Sequence, residues 1–141
     1  MTPKVIIADE EKFWRDLEQK ALEEMGCQVD VLPEATTWPP TLDDCPDAVL
    51  VGFSDIGQRA ETLLADVLKT CPRATVLVLS TTWPVSLLTE RRLLRLGAAN
   101  VVARPRTLDE IAGLVKEEVR ANQEAWAALS SYARFRLQGE K

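Results

Sequence analysis

The sequence contains no histidine, and this absence removes several kinds of chemistry at once. Histidine is the commonest general base, the usual partner of a catalytic serine or cysteine, and a frequent zinc ligand. Its absence argues against hydrolytic enzymes and against zinc sites. No apolar run approaches the roughly 18 residues that a membrane span requires, so we predict no membrane segment.

Cysteine is scarce, and the three cysteines, Cys27, Cys45 and Cys71, share no close spacing. An odd number without metal-binding spacing is typical of reduced thiols in a cytoplasmic protein. The N-terminus also lacks the basic and long apolar regions of a secretory signal. We therefore predict free, partly buried thiols and a cytoplasmic location.

The remaining composition is that of one ordinary soluble domain, with 141 residues, 46% of them hydrophobic and 28% charged. Charge is uneven, because residues 1–70 carry a net −9 and residues 71–141 a net +4. This polarity favours association with an acidic partner or a second copy, although solvated faces would give the same pattern. A pI of 4.8 and no recognisable DNA-binding helix pair argue against nucleic acid.

Strand and helix patterns alternate along the chain. Short β-branched runs predict strands at 4–8, 27–32, 48–53, 75–79 and 100–103, and helical spacing predicts helices at 11–25, 60–69 and 85–96. In the first of these helices, Phe13, Leu17, Ala21 and Met25 recur every four residues, and the helix stops at Gly26. Strands that are apolar on both faces indicate a parallel, doubly wound α/β sheet, in the order 2-1-3-4-5, with its functional crevice beyond the strand carboxyl ends.

The last segment predicts an unusually long helix. A capping-box pattern at 107–110 begins it, and neither proline nor glycine follows between 114 and 138. About 30 helical residues span near 45 Å, more than such a sheet can cover. We therefore predict a domain over 1–119 and a continuous helical extension over 120–141. The residues predicted to pair with a second copy or a partner helix are Val119, Asn122, Trp126, Leu129, Tyr132 and Phe135; folding back onto the same domain is the alternative.

Polar motifs follow the predicted strands. They are Asp9-Glu10-Glu11, the run from Asp47 to Gly52, Ser80-Thr81, and the segment from Gly97 to Arg104-Pro105. Over about residues 3–119 the set resembles the receiver (CheY-like response-regulator) domain of two-component signalling. The resemblance implies a magnesium site of acidic residues, an aspartate that accepts phosphate from a histidine kinase, and a hydroxyl and a lysine that respond to the phosphoryl group.

Carried over by position, the remnant of the receiver site is Asp9, Glu10, Gly52, Ser80 and Arg104. Gly52 stands where the resemblance implies the phosphoacceptor aspartate, so phosphorylation there is chemically impossible. Arg104 replaces the lysine, and we expect it to neutralise Asp9 and Glu10 directly.

Two further positions bear on the same resemblance. Val101 stands at the aromatic switch position and has no ring to rotate. Pro105 fits the position of the family's frequent cis-proline. The pattern is that of a pseudo-receiver, which has the fold and the signalling surface without phosphoryl chemistry.

The predicted function is a non-enzymatic signalling or scaffold module that acts by protein–protein interaction and self-association, independently of phosphorylation. An arginine-rich face for an acidic signalling partner comprises Arg91, Arg92, Arg95 and Arg106. We expect no cofactor and no membrane or nucleic-acid partner; Asp9 and Glu10 are the candidate ligands for residual Mg²⁺.

Alternative functions remain open. Asp55 could replace the phosphoacceptor in an active switch, although a helix N-cap is its simpler interpretation. A small anionic ligand could bind near Ser80 and Arg104. A flavodoxin-like enzyme or nucleotide binder would share the topology, but the chain has no glycine-rich phosphate loop.

Overall fold

The structure of this protein is a computed structural model that describes residues 3–32, 38–39, 43–54 and 58–139, with side chains as far as residue 131. The elements are β1 (Lys4–Asp9), α1 (Lys12–Glu24), β2 (Gln28–Val31), β3 (Ala48–Phe53), α2 (Gln58–Thr70), β4 (Thr75–Ser80), α3 (Leu87–Leu96), β5 (Asn100–Ala103) and α4 (Leu108–Gly139). Within these residues, no helix is both long and apolar enough to cross a membrane.

The five strands form one parallel sheet in the order β2-β1-β3-β4-β5, which confirms the predicted α/β architecture. Every residue of β3 and of β4 is buried, as expected for central strands covered on both faces. One core packs between the sheet and α2 with α3, and includes Val51, Leu64 and Leu93. The other lies under α1 and α4 and includes Ile7 and Val115.

The buried face of α1 does not coincide with its apolar residues. The helix that the spacing predicted is present, but Phe13 is 68% exposed. The helix instead buries Glu18, Ala21 and Leu22. A buried glutamate toward the sheet requires a partner, and that partner belongs to the site described below.

The terminal helix α4 contains 32 residues, as its pattern predicted, and continues without a break past Val119. Val119 is buried in the domain core. Asn122 Nδ2 donates to the Arg73 carbonyl and to Thr75 Oγ1, at 2.9 Å each. The Arg73 guanidinium lies 5.0 Å from the centre of the Trp126 ring.

Three of the residues predicted for association therefore contact their own domain, namely Val119, Asn122 and Trp126. These three residues are therefore already engaged within the domain. Leu129 is exposed. The side chains of Tyr132 and Phe135 lie outside the described ones, and the division of the chain at 119/120 stays a prediction.

The prediction of three reduced cysteines is wrong for two of them. Cys45 and Cys71 form a disulfide, with their Cα atoms 5.7 Å apart, and Cys27 is a buried free thiol. Sequence spacing gave no sign of the pair, because 26 residues separate them. Only the parallel fold brings the segment before β3 beside the end of α2.

Candidate functional site

The register of the sheet brings the predicted site residues to one edge. Asp9 is opposite Gly52 on neighbouring strands, and Ser80 is opposite Ala103. Arg104 directly follows β5, and its backbone N–H donates to the Ser80 carbonyl at 3.1 Å. Because parallel strands end together, residues far apart in sequence meet at this carboxyl edge.

Arg104 fills the centre of this edge. Its side chain is 2% exposed and that of Asp9 is fully buried. Nη2 donates to Asp9 Oδ1 at 3.0 Å, while Nη1 pairs with Asp9 Oδ2 in a two-point ion pair. Such bidentate, charge-assisted bonds are the strong form of an arginine–carboxylate contact.

Three further groups hold the guanidinium in place. Nε donates to Thr81 Oγ1 at 2.6 Å, and Nη1 lies 3.4 Å from Glu18 Oε2. The Trp14 ring lies over the guanidinium, 5.2 Å away at its centre. The cation is therefore enclosed by hydrogen-bond acceptors and an aromatic face, which offset the cost of removing it from water.

Gly52 leaves no room for the side chain that the family resemblance implies. A Cβ built on it would lie 2.5 Å from Asp9 Cγ, 2.7 Å from Arg104 Nη1, and closer still to Asp9 Oδ2. Both neighbours are buried and hydrogen-bonded, so neither can move aside cheaply. Glycine is therefore required here by close approach, and the ion pair occupies the space that an aspartate would need.

Glu18 joins the cluster in its neutral form. Burial, reinforced by the Asp9 carboxylate, raises the pKa of Glu18 to about 10, although the Arg104 charge opposes the rise. A neutral Glu18 leaves Asp9 and Arg104 as a one-to-one pair. Its Oε1 atom is buried and has no hydrogen-bond partner among the described residues.

Glu10 is neutralised elsewhere, contrary to the expectation that Arg104 would serve both acids. Its Oε2 accepts a hydrogen bond from Arg59 Nη2 at 2.7 Å, and its Oε1 accepts from the Ser54 N–H at 2.9 Å. Partial burial alone would raise the pKa of Glu10, but the Ser54 hydrogen bond and the Arg59 charge outweigh it and lower the pKa. The Arg59 guanidinium also lies over the Phe53 ring, at 4.9 Å.

The remaining positions of the predicted site are committed to structural contacts. Ser80 is buried, and its hydroxyl donates to the Thr82 carbonyl at 2.7 Å. Val101 is part of the core under α2 and α3. Among the described residues the cis peptide bond precedes Pro84, so the expectation of a cis bond before Pro105 is wrong. Asp55 lies outside the described residues.

The residues at this edge do not fit a magnesium ion. Asp9 is bound on both oxygens by a guanidinium, and Glu10 accepts bonds on both of its own. Gly52 supplies no carboxylate. Nowhere in the described ranges do three or more histidine, cysteine, aspartate or glutamate side chains form a group suited to a metal.

The predicted arginine face lies on and near α3. Arg91 and Arg95 are exposed, and Arg106 is exposed before α4. Arg92 is also exposed but pairs with Glu61 of α2 at 3.0 Å, so it contributes to contacts within the domain. Exposed leucines lie on the same helix: Leu87, Leu88 and Leu94.

Sequence reasoning missed three contributors to the buried site and its rim, namely Trp14, Glu18 and Arg59, and it named Thr81 in a motif without giving it a role. One signal was available for two of them. Trp14, Glu18 and Ala21 recur at steps of four and three, which is the spacing of a single helix face. A charged residue on an apolar face indicates a buried counter-charge elsewhere in the chain.

No protein-family model and no curated protein matches the chain, whereas many solved structures are similar to its fold. A response regulator from Thermotoga maritima is 26% identical, with a TM-score of 0.71 over 85% of this chain and 99% of its own. A CheY-like receiver domain from Methanospirillum hungatei JF-1 is 16% identical, with a TM-score of 0.72 over 89% and 99%. An orphan response regulator of H. pylori is 17% identical, with a TM-score of 0.65 over 83% and 96%.

These structural neighbours are CheY-like response-regulator receiver domains, and the chain has their fold. The receiver fold is that of a signalling module, and it links this chain to two-component signalling. The chemistry of the site must then be argued from the side chains at its carboxyl edge.

Proposed function

We propose that this protein is a receiver-fold signalling module that works without phosphorylation. One observation carries the proposal: the Asp9–Arg104 ion pair fills the space beside Gly52. A phosphoryl group needs an acceptor carboxylate, a divalent cation and a free cationic side chain. At this edge the carboxylate is missing, the potential metal ligands are bound by arginines, and the cation is already paired.

The proposed activity is binding rather than catalysis. The surface that supports it combines Arg91 and Arg95 with the exposed leucines of α3, a mixture of apolar and cationic groups suited to protein interfaces. The partner would present acidic side chains around an apolar patch. Control then depends on partner availability instead of aspartyl phosphate.

Titration with beryllofluoride, which mimics a phosphoryl group on a carboxylate, tests the first part. Amide NMR spectra should not change when beryllofluoride is added in the presence of Mg²⁺. A receiver domain that has the strand 3 aspartate, measured in parallel, serves as the positive control. A Mg²⁺-dependent response in this protein would overturn the proposal, and its loss in Asp55→Asn would identify the acceptor.

Charge reversal tests the proposed face. The double variant Arg91→Glu, Arg95→Glu should lose a partner that the unaltered protein retains in a pull-down. The matched control, Lys116→Glu with Arg120→Glu, makes the same charge change on exposed positions of α4. Equal binding by both double variants would refute the assignment of the face.

Self-association through the distal part of α4 is a further element of the proposal. Leu129 is exposed on a stretch of helix beyond the contacts at Asn122 and Trp126. Light scattering should show a dimer that dissociates in Leu129→Glu. A monomer at every concentration would remove self-association and leave the partner face untouched.

A further inference from the structure

The Cys45–Cys71 disulfide lies at the amino edge of the sheet, opposite the buried ion pair. Cys45 is exposed, whereas Cys71 is buried directly after α2. A tight turn follows, in which the Ala74 N–H donates to the Cys71 carbonyl at 3.1 Å. The disulfide thus ties this turn to the segment that precedes β3.

The same turn anchors the long helix. Arg73, two residues after Cys71, accepts the Asn122 hydrogen bond on its carbonyl and covers Trp126 with its guanidinium. The other described acceptor of Asn122 is Thr75 Oγ1. A surface cavity of about 430 Å³ is lined by both cysteines, by Arg73 and by Gln123 of α4. Disulfide and helix anchor therefore share one short stretch of backbone.

We propose that the Cys45–Cys71 disulfide is a redox-modification site for a dithiol reductant, and that its reduction releases the distal half of α4 from the domain. The bond fixes the turn that presents Arg73 to Asn122 and Trp126. Once the bond is broken, nothing covalent holds the turn against the segment before β3. This inference does not depend on the absence of phosphorylation proposed above.

The chemistry is a thiol–disulfide exchange. A thiolate of the reductant attacks the sulfur of Cys45, the exposed residue of the pair, forming a mixed disulfide, and the Cys71 sulfur leaves with the electron pair and takes a proton from water. The second thiol of the reductant then attacks its own mixed disulfide and expels Cys45. Two electrons and two protons pass to the cysteines, and the dithiol becomes a disulfide.

Hydrogen exchange with mass spectrometry on the full chain, with and without dithiothreitol, tests the coupling. Thiol titration in denaturant should give one thiol before reduction and three after it. Exchange in peptides covering 120–131 should then rise several-fold, while peptides from β1 and β3 stay unchanged. Cys45→Ser should reproduce the result without reductant, and Cys27→Ser should have no effect.

Arg73→Ala supplies a second route to the same end, because it removes the Trp126 contact and leaves the disulfide in place. Its peptides over 120–131 should exchange faster even in oxidised protein. Unchanged exchange of the helix in fully reduced wild type would overturn the proposal. So would an equal rise in every peptide, which indicates general destabilisation, or three free thiols before reduction.

Glutathione identifies the attacked sulfur, because it has no second thiol of its own to resolve the mixed disulfide, and alkylation of the freed cysteine traps the adduct. The adduct should map to Cys45, because Cys71 is buried. An adduct found mainly on Cys71 would contradict the proposed direction of attack.

Discussion

Asp9 and Glu10 are adjacent in sequence, and each is paired with an arginine, but the first pair is buried and the second is exposed to water. The side chains of Asp9 and Arg104 are 0% and 2% exposed, whereas those of Glu10 and Arg59 are 21% and 61% exposed. Water is excluded from the first pair, so each charge is stabilised by its partner instead of by hydration. In the second pair water can replace either partner.

This difference explains why the Asp9 pair fills the carboxyl edge of the sheet and the Glu10 pair does not. A buried pair cannot open to admit a metal or phosphate without exposing an unpaired charge to a low dielectric. The Glu10–Arg59 pair at the rim carries no such penalty. Both pairs join an arginine to a carboxylate, so it is burial that keeps Arg104 bound to Asp9.

The largest effect is expected from removing the buried cation. Arg104→Met should lower the free energy of unfolding by about 3–5 kcal/mol, because Asp9 is left buried without a counter-charge. Urea denaturation measures the loss. The double variant Asp9→Asn, Arg104→Met should recover part of it; a loss no greater than that of Arg59→Ala would show that the buried pair is not special.

The pH dependence of stability should come next. The pKa of Glu18 is raised in the folded state, so the folded protein keeps the Glu18 proton at neutral pH. In the unfolded chain Glu18 loses that proton above about pH 4.5. Stability from this group is therefore complete at low pH and falls as pH rises toward 10, by at most about 1.4 kcal/mol per pH unit. Between pH 5 and pH 8 we expect a steady fall of at most about 4 kcal/mol that Glu18→Gln abolishes; parallel curves for the two proteins would contradict the neutral glutamate.

Adding one methyl group at the closed site should have a smaller effect. Gly52→Ala places a Cβ against Asp9 and Arg104, and overpacking of this kind costs about 1–3 kcal/mol. Gly113→Ala in α4 is the matched control, because its Cβ would meet nothing within 4 Å. The control should gain about 0.5–1 kcal/mol from helix propensity. Thermal denaturation of both variants should shift in opposite directions; a shared direction would refute the close approach at Gly52.

The smallest effect is expected at the exposed pair. Arg59→Ala should change the free energy of unfolding by less than about 1 kcal/mol, and less again at high salt. Urea denaturation at two salt concentrations measures both quantities. A loss as large as that of Arg104→Met would erase the distinction between the two pairs.

Local patterns predicted most of the architecture. The apolar and β-branched runs at 48–53 and 100–103 predicted the observed limits of β3 and β5. The capping box and the helical spacing after it predicted the long helix α4. The spacing of α1 predicted the helix but not its buried face, because Phe13 is exposed while Glu18 is buried. A local pattern cannot show that Arg104, more than 80 residues away, would make Glu18 an inward residue.

The sequence by itself determined that no carboxylate stands at position 52, that no histidine can act as a base, and that a helix must run past the sheet, since these follow from residue identity and local spacing. Only the tertiary structure determined that Arg104 pairs with Asp9 and not with Glu10, and that Cys45 forms a disulfide with Cys71. It also determined that Asn122 and Trp126 contact Arg73. The physical reason is that pairing depends on which strand ends and turns the sheet register brings within a few ångströms, and on how much water is left between them.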